Sequence, residues 1–209
     1  MDKMQKSWVS ADMHFGDERM ELLGRPFRND EECADTIIRN WNICINPLDI
    51  VYVLGDVAID EKWLDQIMPL LNGIKHLIPG NYDTLSKDVY QRYFVEITDF
   101  IDIDIMVDQQ VLPVRMVHYP SQGIAERFTL CGHIHAAWRV QKNMLNVGQD
   151  SHHFFPISLE KVAFYYRAIC EFYDQDVWVG EHVANVPHNA RGKAGTYWER
   201  GFKGSREAK

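Results

Sequence analysis

Short β-branched and aliphatic runs, each stopped by a few polar residues, recur along this chain and leave few architectures open. Five such stops follow in order: Asp12-Met13-His14, Gly55-Asp56, Gly80-Asn81-Tyr82-Asp83, His118-Tyr119-Pro120 and Gly132-His133-Ile134-His135. Short apolar runs of this kind are strands of a buried sheet, and open α/β sheets gather their ligand groups beyond the carboxyl ends of such strands. The polar side chains are therefore expected on one rim. Glycine before Asp56, Asn81 and His133 allows the chain to turn sharply as it leaves a strand. Carboxylates, an asparagine carbonyl and imidazoles form a mixed oxygen and nitrogen donor set without thiolate. Such a set suits two divalent ions, manganese first, with iron(II), zinc and magnesium as alternatives.

The pattern between the stops begins as βαβ. Ser7 to Ala11 is expected as a first strand, and Asn29 or Asp30 as the cap of a helix reaching about Asn42. Asp49 to Leu54 is a second strand, followed by an amphipathic helix around Glu61 to Leu71. Ile74 to Ile78 is a third, broken by Pro79-Gly80, with a short helix near Ser86 to Tyr93. From about Ile97 the rhythm changes. Ile101 to Val107 and Val111 to Val117 flank Asp108-Gln109-Gln110 as an antiparallel hairpin, while Phe128 to Cys131 and Met144 to Val147 continue a second sheet. A helix is expected beyond Ser158 through Phe172. Two mixed sheets packed face to face with helices outside follow, an α/β four-layer sandwich over residues 1–172. Residues 173–209 form an extension.

Composition narrows the function. A chain of 209 residues, 46% hydrophobic, can bury one sizeable core. Its net charge of -8 argues against broad phosphate-backbone binding, which rests on many Lys and Arg contacts. From Pro187 onward the balance is +4, leaving -12 for residues 1–186. In that basic end, Tyr197, Trp198 and Phe202 lie among Arg191, Lys193, Arg200, Lys203 and Arg206. This is the stacking-plus-cation mixture of a single-strand nucleic-acid contact, and equally that of a segment packing back on acidic protein. Cys33, Cys44, Cys131 and Cys170 have no CxxC spacing and read as reduced thiols. With neither an apolar leader nor a bilayer-length run, the expectation is a soluble cytoplasmic protein that contacts no membrane.

In order and in content, the five stops resemble the signature of the calcineurin-like metallophosphoesterases. Asp12-Met13-His14-Phe15-Gly16, Gly24-Arg25-Pro26-Phe27, Asn40-Trp41-Asn42, Val53-Leu54-Gly55-Asp56, Asn146-Val147-Gly148 and Pro156-Ile157-Ser158-Leu159 are similar to the small single-domain bacterial and phage members. The resemblance implies the four-layer fold of that family and a metal-dependent phosphoric ester hydrolase. It implies that Asp12, His14, Asp56 and His135 hold one ion and that Asp56, Asn81, His118 and His133 hold the other, with Asp56 as the bridge. It also implies a hydroxide bridging the metals as nucleophile, acting on a small phosphodiester or phosphomonoester, nucleotide-derived esters among them. A nuclease or cyclic-nucleotide phosphodiesterase, and a catalytically impaired metal-binding interaction module, are the alternatives.

Two departures from the family pattern stand out. Tyr82 occupies the place of a histidine that protonates the leaving oxygen, which Asp83 would orient; Asp17 replaces a second histidine frequent in the narrower group. A tyrosine, with a reference pKa of about 10, is a weaker proton source than imidazolium. Loss of one general acid removes about 10²- to 10⁴-fold of rate for a poor leaving group, so esters with good leaving groups are favoured. Arg25 is a candidate phosphate contact beside Asn81, with a loop cap as its structural alternative. Asn40 and Trp41 read as structural, and His76, His152, His153, His182 and His188 as locally bonded or exposed.

Overall fold

The computed structural model describes residues 5–141 and 143–172. The aromatic and basic segment with Tyr197 and Trp198 lies outside the described residues. The chain divides into two compact units, Met1–Phe164 and Tyr165–Lys209. Both sheets and every candidate ligand belong to the first unit.

Its elements follow in order: β1 (Ser7–Ser10), α1 (Met20–Leu23), α2 (Asp30–Cys44), β2 (Ile50–Val53), α3 (Glu61–Ile67), β3 (Ile74–Leu77), α4 (Lys87–Tyr90) and β4 (Glu96–Ile97). Then come β5 (Ile101–Val107), β6 (Gln110–Met116), β7 (Phe128–Cys131), β8 (Val140–Gln141), β9 (Met144–Asn146), β10 (Ile157–Ser158) and α5 (Leu159–Phe172). Two five-stranded sheets result, ordered β10-β1-β2-β3-β4 and β5-β6-β7-β9-β8. Each mixes parallel and antiparallel pairs: β1, β2, β3 and β4 run parallel while β10 opposes β1, and β6, β7 and β9 run parallel between opposed β5 and β8. The architecture is α/β, with two mixed sheets and flanking helices.

Local chemistry accounts for most element ends. Asn29 accepts from the amide of Glu32 at 2.9 Å, and Asp30, Glu31 and Glu32 set negative charge at the positive end of α2. Asp60 caps α3 in the same way. The helix expected to reach Leu71 stops at Ile67 and tightens into a 3₁₀ turn over Met68–Leu70, because Pro69 has no N–H to continue the ladder. The segment expected as helix to Tyr93 is α-helical only over Lys87–Tyr90 and continues as turns, with the amide of Tyr93 bonded to the carbonyl of Tyr90. Asp108 and Gln109 both adopt positive φ, giving the two-residue connection that matches the twist of β5 and β6.

The core lies between β1–β3 and the inner faces of α2 and α3. Ile37 and Trp41 meet Val51, Val53, Leu64 and Leu77 there, and the Trp41 indole donates to the carbonyl of Asn72 at 2.8 Å. Asn40 donates to the carbonyl of Phe154, so both residues hold the frame. Truncating a tryptophan buried like Trp41 costs about 3–5 kcal/mol. This packing fixes the strands whose exits carry the polar residues.

Candidate metal centre

Beyond their last residues, β1 and β2 continue side by side. The amide of Asp12 bonds the carbonyl of Gly55, that of His14 bonds Asp56 and that of Phe15 bonds Val57. An isolated bridge from Ala11 to Gly148 ties the exit of β1 to the exit of β9 in the other sheet. The exits of both sheets thus converge on one rim. Five of the ligand candidates, Asp12, His14, Asp56, His133 and His135, have φ between 48° and 74°. Such left-handed backbone is costly for residues with a Cβ, and it clusters where function over-determines the conformation.

The side chains form two groups. Asp12, His14 and His135 each bring a ligand atom to within 4.8 Å of the others, and so do Asp56, His118 and His133. One Asp56 oxygen stands between them, 3.4 Å from His14 Nε2 and 3.5 Å from His118 Nε2. Asn81 Oδ1 completes the second group, 3.0 Å from His133 Nδ1 and 3.4 Å from His118 Nε2. Donors bound to one ion at about 2.0–2.2 Å lie roughly 3 to 3.5 Å from each other, so these spacings fit a shared cation.

Bonding to the ring nitrogens strengthens the fit. His118 Nδ1 donates to the carbonyl of Leu54 at 2.7 Å, which leaves Nε2 bare toward Asp56. His135 Nδ1 donates to Asp150 Oδ2 at 2.7 Å. His14 is 2% exposed, yet neither of its ring nitrogens has a hydrogen-bond partner among the described residues. A buried imidazole without partners is costly unless its lone pair serves as a ligand. Tyr119 packs edge-on against both His118 and His133 and steadies their rings.

Electrostatics tells the same story. Complete burial pushes the carboxyl of Asp12 up to about 6, against the lowering pull of His118, the amide of His133 and the other histidines. Asp56 is also raised by burial, but nearby His14, the bond from the amide of Tyr82 and the charge of His118 hold it below the usual carboxylate range. Burial and neighbouring His118 lower His133. The bond to Asp150 raises His135.

Three expectations from sequence meet a different geometry. Arg25 is not an exposed phosphate contact: its side chain is fully buried, paired with Asp150 at 2.8 Å, and it donates to the carbonyls of Asp12 and Met13. It clamps the loop that carries Asp12 and His14. Asp83 does not orient a proton donor. Its two oxygens accept from the amides of Asp56, Val57 and Gly80, locking two ligand loops together. Tyr82 does stand at the site, its ring edge-on to His14 with centroids 4.8 Å apart, but its hydroxyl accepts from Arg19 at 2.7 Å.

Asp150 and Arg19 escaped the sequence reading. Asp150 follows Asn146-Val147-Gly148 by two residues, and the buried partners that define its role come from distant segments. Asn146 likewise bonds the carbonyls of His135 and Trp138, both at 2.7 Å.

No family model matches the chain. Over 88 residues it is 36% identical to an uncharacterized protein of Methanocaldococcus jannaschii, covering 40% of this chain and 50% of that protein. It therefore spans about half the length of the curated relative it matches. The crystal structure of a protein of unknown function from Aquifex aeolicus is similar with a TM-score of 0.60, at 22% identity over 77% of this chain and 99% of that one. That likeness concerns the fold alone. Among the described residues, no helix is long and apolar enough to cross a membrane.

Proposed function

We infer that the protein is a dinuclear metal-dependent phosphoesterase of the calcineurin-like type, with the four-layer arrangement of that family. The observation that carries this reading is the single Asp56 oxygen poised between two histidine-bearing groups, 3.4 Å from His14 and 3.5 Å from His118. Asp12, His14, Asp56 and His135 would hold one ion, and Asp56, Asn81, His118 and His133 the other. When bound, such a pair supplies a hydroxide nucleophile at neutral pH and neutralises charge growing on phosphoryl oxygens. The oxygen and nitrogen donors favour manganese, with iron(II), zinc or magnesium as alternatives.

The chain's own groups do the remaining work. Asp150 fixes the tautomer of His135, and the Leu54 carbonyl fixes that of His118, so each presents a bare nitrogen. Asp83 fixes the loop bearing Asn81 against the loop bearing Asp56. Tyr82, bonded to Arg19, offers no imidazolium to a departing oxygen. The substrates are phosphodiesters or phosphomonoesters whose leaving group departs without protonation.

Turnover of an aryl phosphodiester and of an alkyl phosphomonoester, with added manganese and after chelation, tests the reading. The aryl ester should be hydrolysed only with metal, and much faster than the alkyl ester. Equal rates with and without chelator, or no turnover with full metal occupancy, would contradict it.

A further inference from the structure

The two positions that depart from the family pattern, Asp17 and Tyr82, are 65 residues apart in sequence, yet one side chain joins them. Arg19 donates from Nε to Asp17 Oδ1 at 2.8 Å, and from Nη2 both to Asp17 Oδ2 at 2.6 Å and to the Tyr82 hydroxyl at 2.7 Å. Its own amide also bonds Asp17 at 3.0 Å. A guanidinium carries five N–H donors in a fixed plane, and these bonds engage three of them. The two on Nη1 have no hydrogen-bond partner among the described residues, and the side chain is 46% exposed.

The location gives those donors a use. The guanidinium lies 5.4 Å from the centroid of the Tyr82 ring, and that ring meets His14 edge-on. Asp17 is 2% exposed on its side chain and reaches to 3.7 Å from His14 Nδ1, so the anchor of Arg19 is part of the buried wall of the site. A cation held in place on two of its edges loses little further side-chain entropy when it engages a ligand. Arg25, the arginine that the sequence offered for this task, is fully buried and spent on Asp150.

We propose that Arg19, braced by Asp17 and Tyr82, is the substrate-binding residue of this site and grips an oxygen of the substrate's phosphoryl group through Nη1. This rests on the phosphoesterase reading and extends it. A fixed positive charge would stand where the family pattern has a proton-donating imidazole and a second histidine, and it would stabilise anionic oxygen without transferring a proton. The matching substrate class is an ester with an acidic leaving group, such as an aryl ester or an anhydride-like phosphate, whose departing oxygen needs charge stabilisation alone.

The test is calorimetric titration of phenylphosphonate, a non-hydrolysable mimic, into the full-length manganese-loaded protein and its Arg19→Ala, Arg19→Lys and Tyr82→Phe variants, with manganese content measured in each. Arg19→Ala should weaken binding by about 10- to 100-fold, the worth of a charge-assisted bond pair. Arg19→Lys should recover part of that loss, and Tyr82→Phe, which leaves Arg19 seated on Asp17, should lose less than Arg19→Ala. Manganese content should be the same in all four. Unchanged affinity in Arg19→Ala, equal losses in Arg19→Ala and Tyr82→Phe, or no phenylphosphonate binding to the wild type would each overturn the assignment. Arg19-dependent binding without turnover of any ester would refute the phosphoesterase reading instead. Turnover with Arg19-independent binding would do the reverse.

Discussion

At the scale of single residues, the site depends on carboxylates that do different jobs in nearly the same volume. Asp56 stands between the two histidine groups, while Asp150 and Asp83 bind only protein and set the geometry of others. Replacing Asp56 with Asn would remove the anion that, in the proposed centre, balances two cations. It should abolish both metal occupancy and turnover; retained turnover at full occupancy would contradict the bridge. Asp150→Asn acts through His135 and Arg25, and outer-sphere changes of this kind cost about 10- to 100-fold in metal affinity. Metal titration followed by competition with a chromogenic chelator would reveal it, and an unchanged affinity would remove Asp150 from the account. Tyr82→His restores an imidazole at the position where the family pattern has one. Activity on the alkyl monoester should rise with little change on the aryl diester, and no gain on the alkyl ester would mean that position 82 has another role. The gathering of Asp12, His14, Asp56, His118, His133 and His135 on one rim was legible in sequence because each is a ligand-type residue at a strand exit. The duties of Arg25 and Asp83 were not, since those depend on which backbone groups distant loops bring to them.

At the scale of elements, the site is made where strand exits are forced to turn. Gly55 has φ +82° beside Gly80, and a Cβ at Gly80 would run into Asp56 Oδ1 and the His118 ring. Two loops can approach this closely only without side chains at that point. Gly80→Ala should therefore leave the circular dichroism spectrum unchanged while sharply weakening metal binding at the Asp56, His118 and His133 group. Wild-type metal affinity in that variant would contradict the close-packing argument. The strands themselves were readable because β-branched runs bounded by glycine and proline leave little choice, and the capped start of α2 followed from Asn29 and three acidic residues. Helices α3 and α4 end sooner than their apolar periodicity implies. Apolar periodicity continues past Ile67, but the backbone donor that Pro69 lacks ends the regular ladder first.

At the scale of the whole molecule, two sheets meet at one rim, and the candidate metal site bears on the stability of the first unit as well as on the proposed chemistry. Without metal, burial pushes the Asp12 carboxyl up to about 6, against 3.8 as its ordinary value. A raised carboxylate stabilises the fold fully below the lower value, and that contribution disappears as pH rises through the upper one. At neutral pH the metal-free fold thus carries a penalty of about 3 kcal/mol from this residue. Denaturant melts with chelator should find Asp12→Asn gaining on the wild type by about that amount between pH 4 and pH 7. Parallel pH profiles would contradict the assignment. A metal bound there at neutral pH would offset the same penalty and so link folding to occupancy. The central claim is that paired cations share Asp56, and anomalous diffraction from manganese-soaked crystals tests it most directly. Two peaks are predicted, one among Asp12, His14 and His135 and one among Asn81, His118 and His133, with Asp56 contacting both. A single peak, peaks elsewhere, or no ordered manganese at the rim would contradict it.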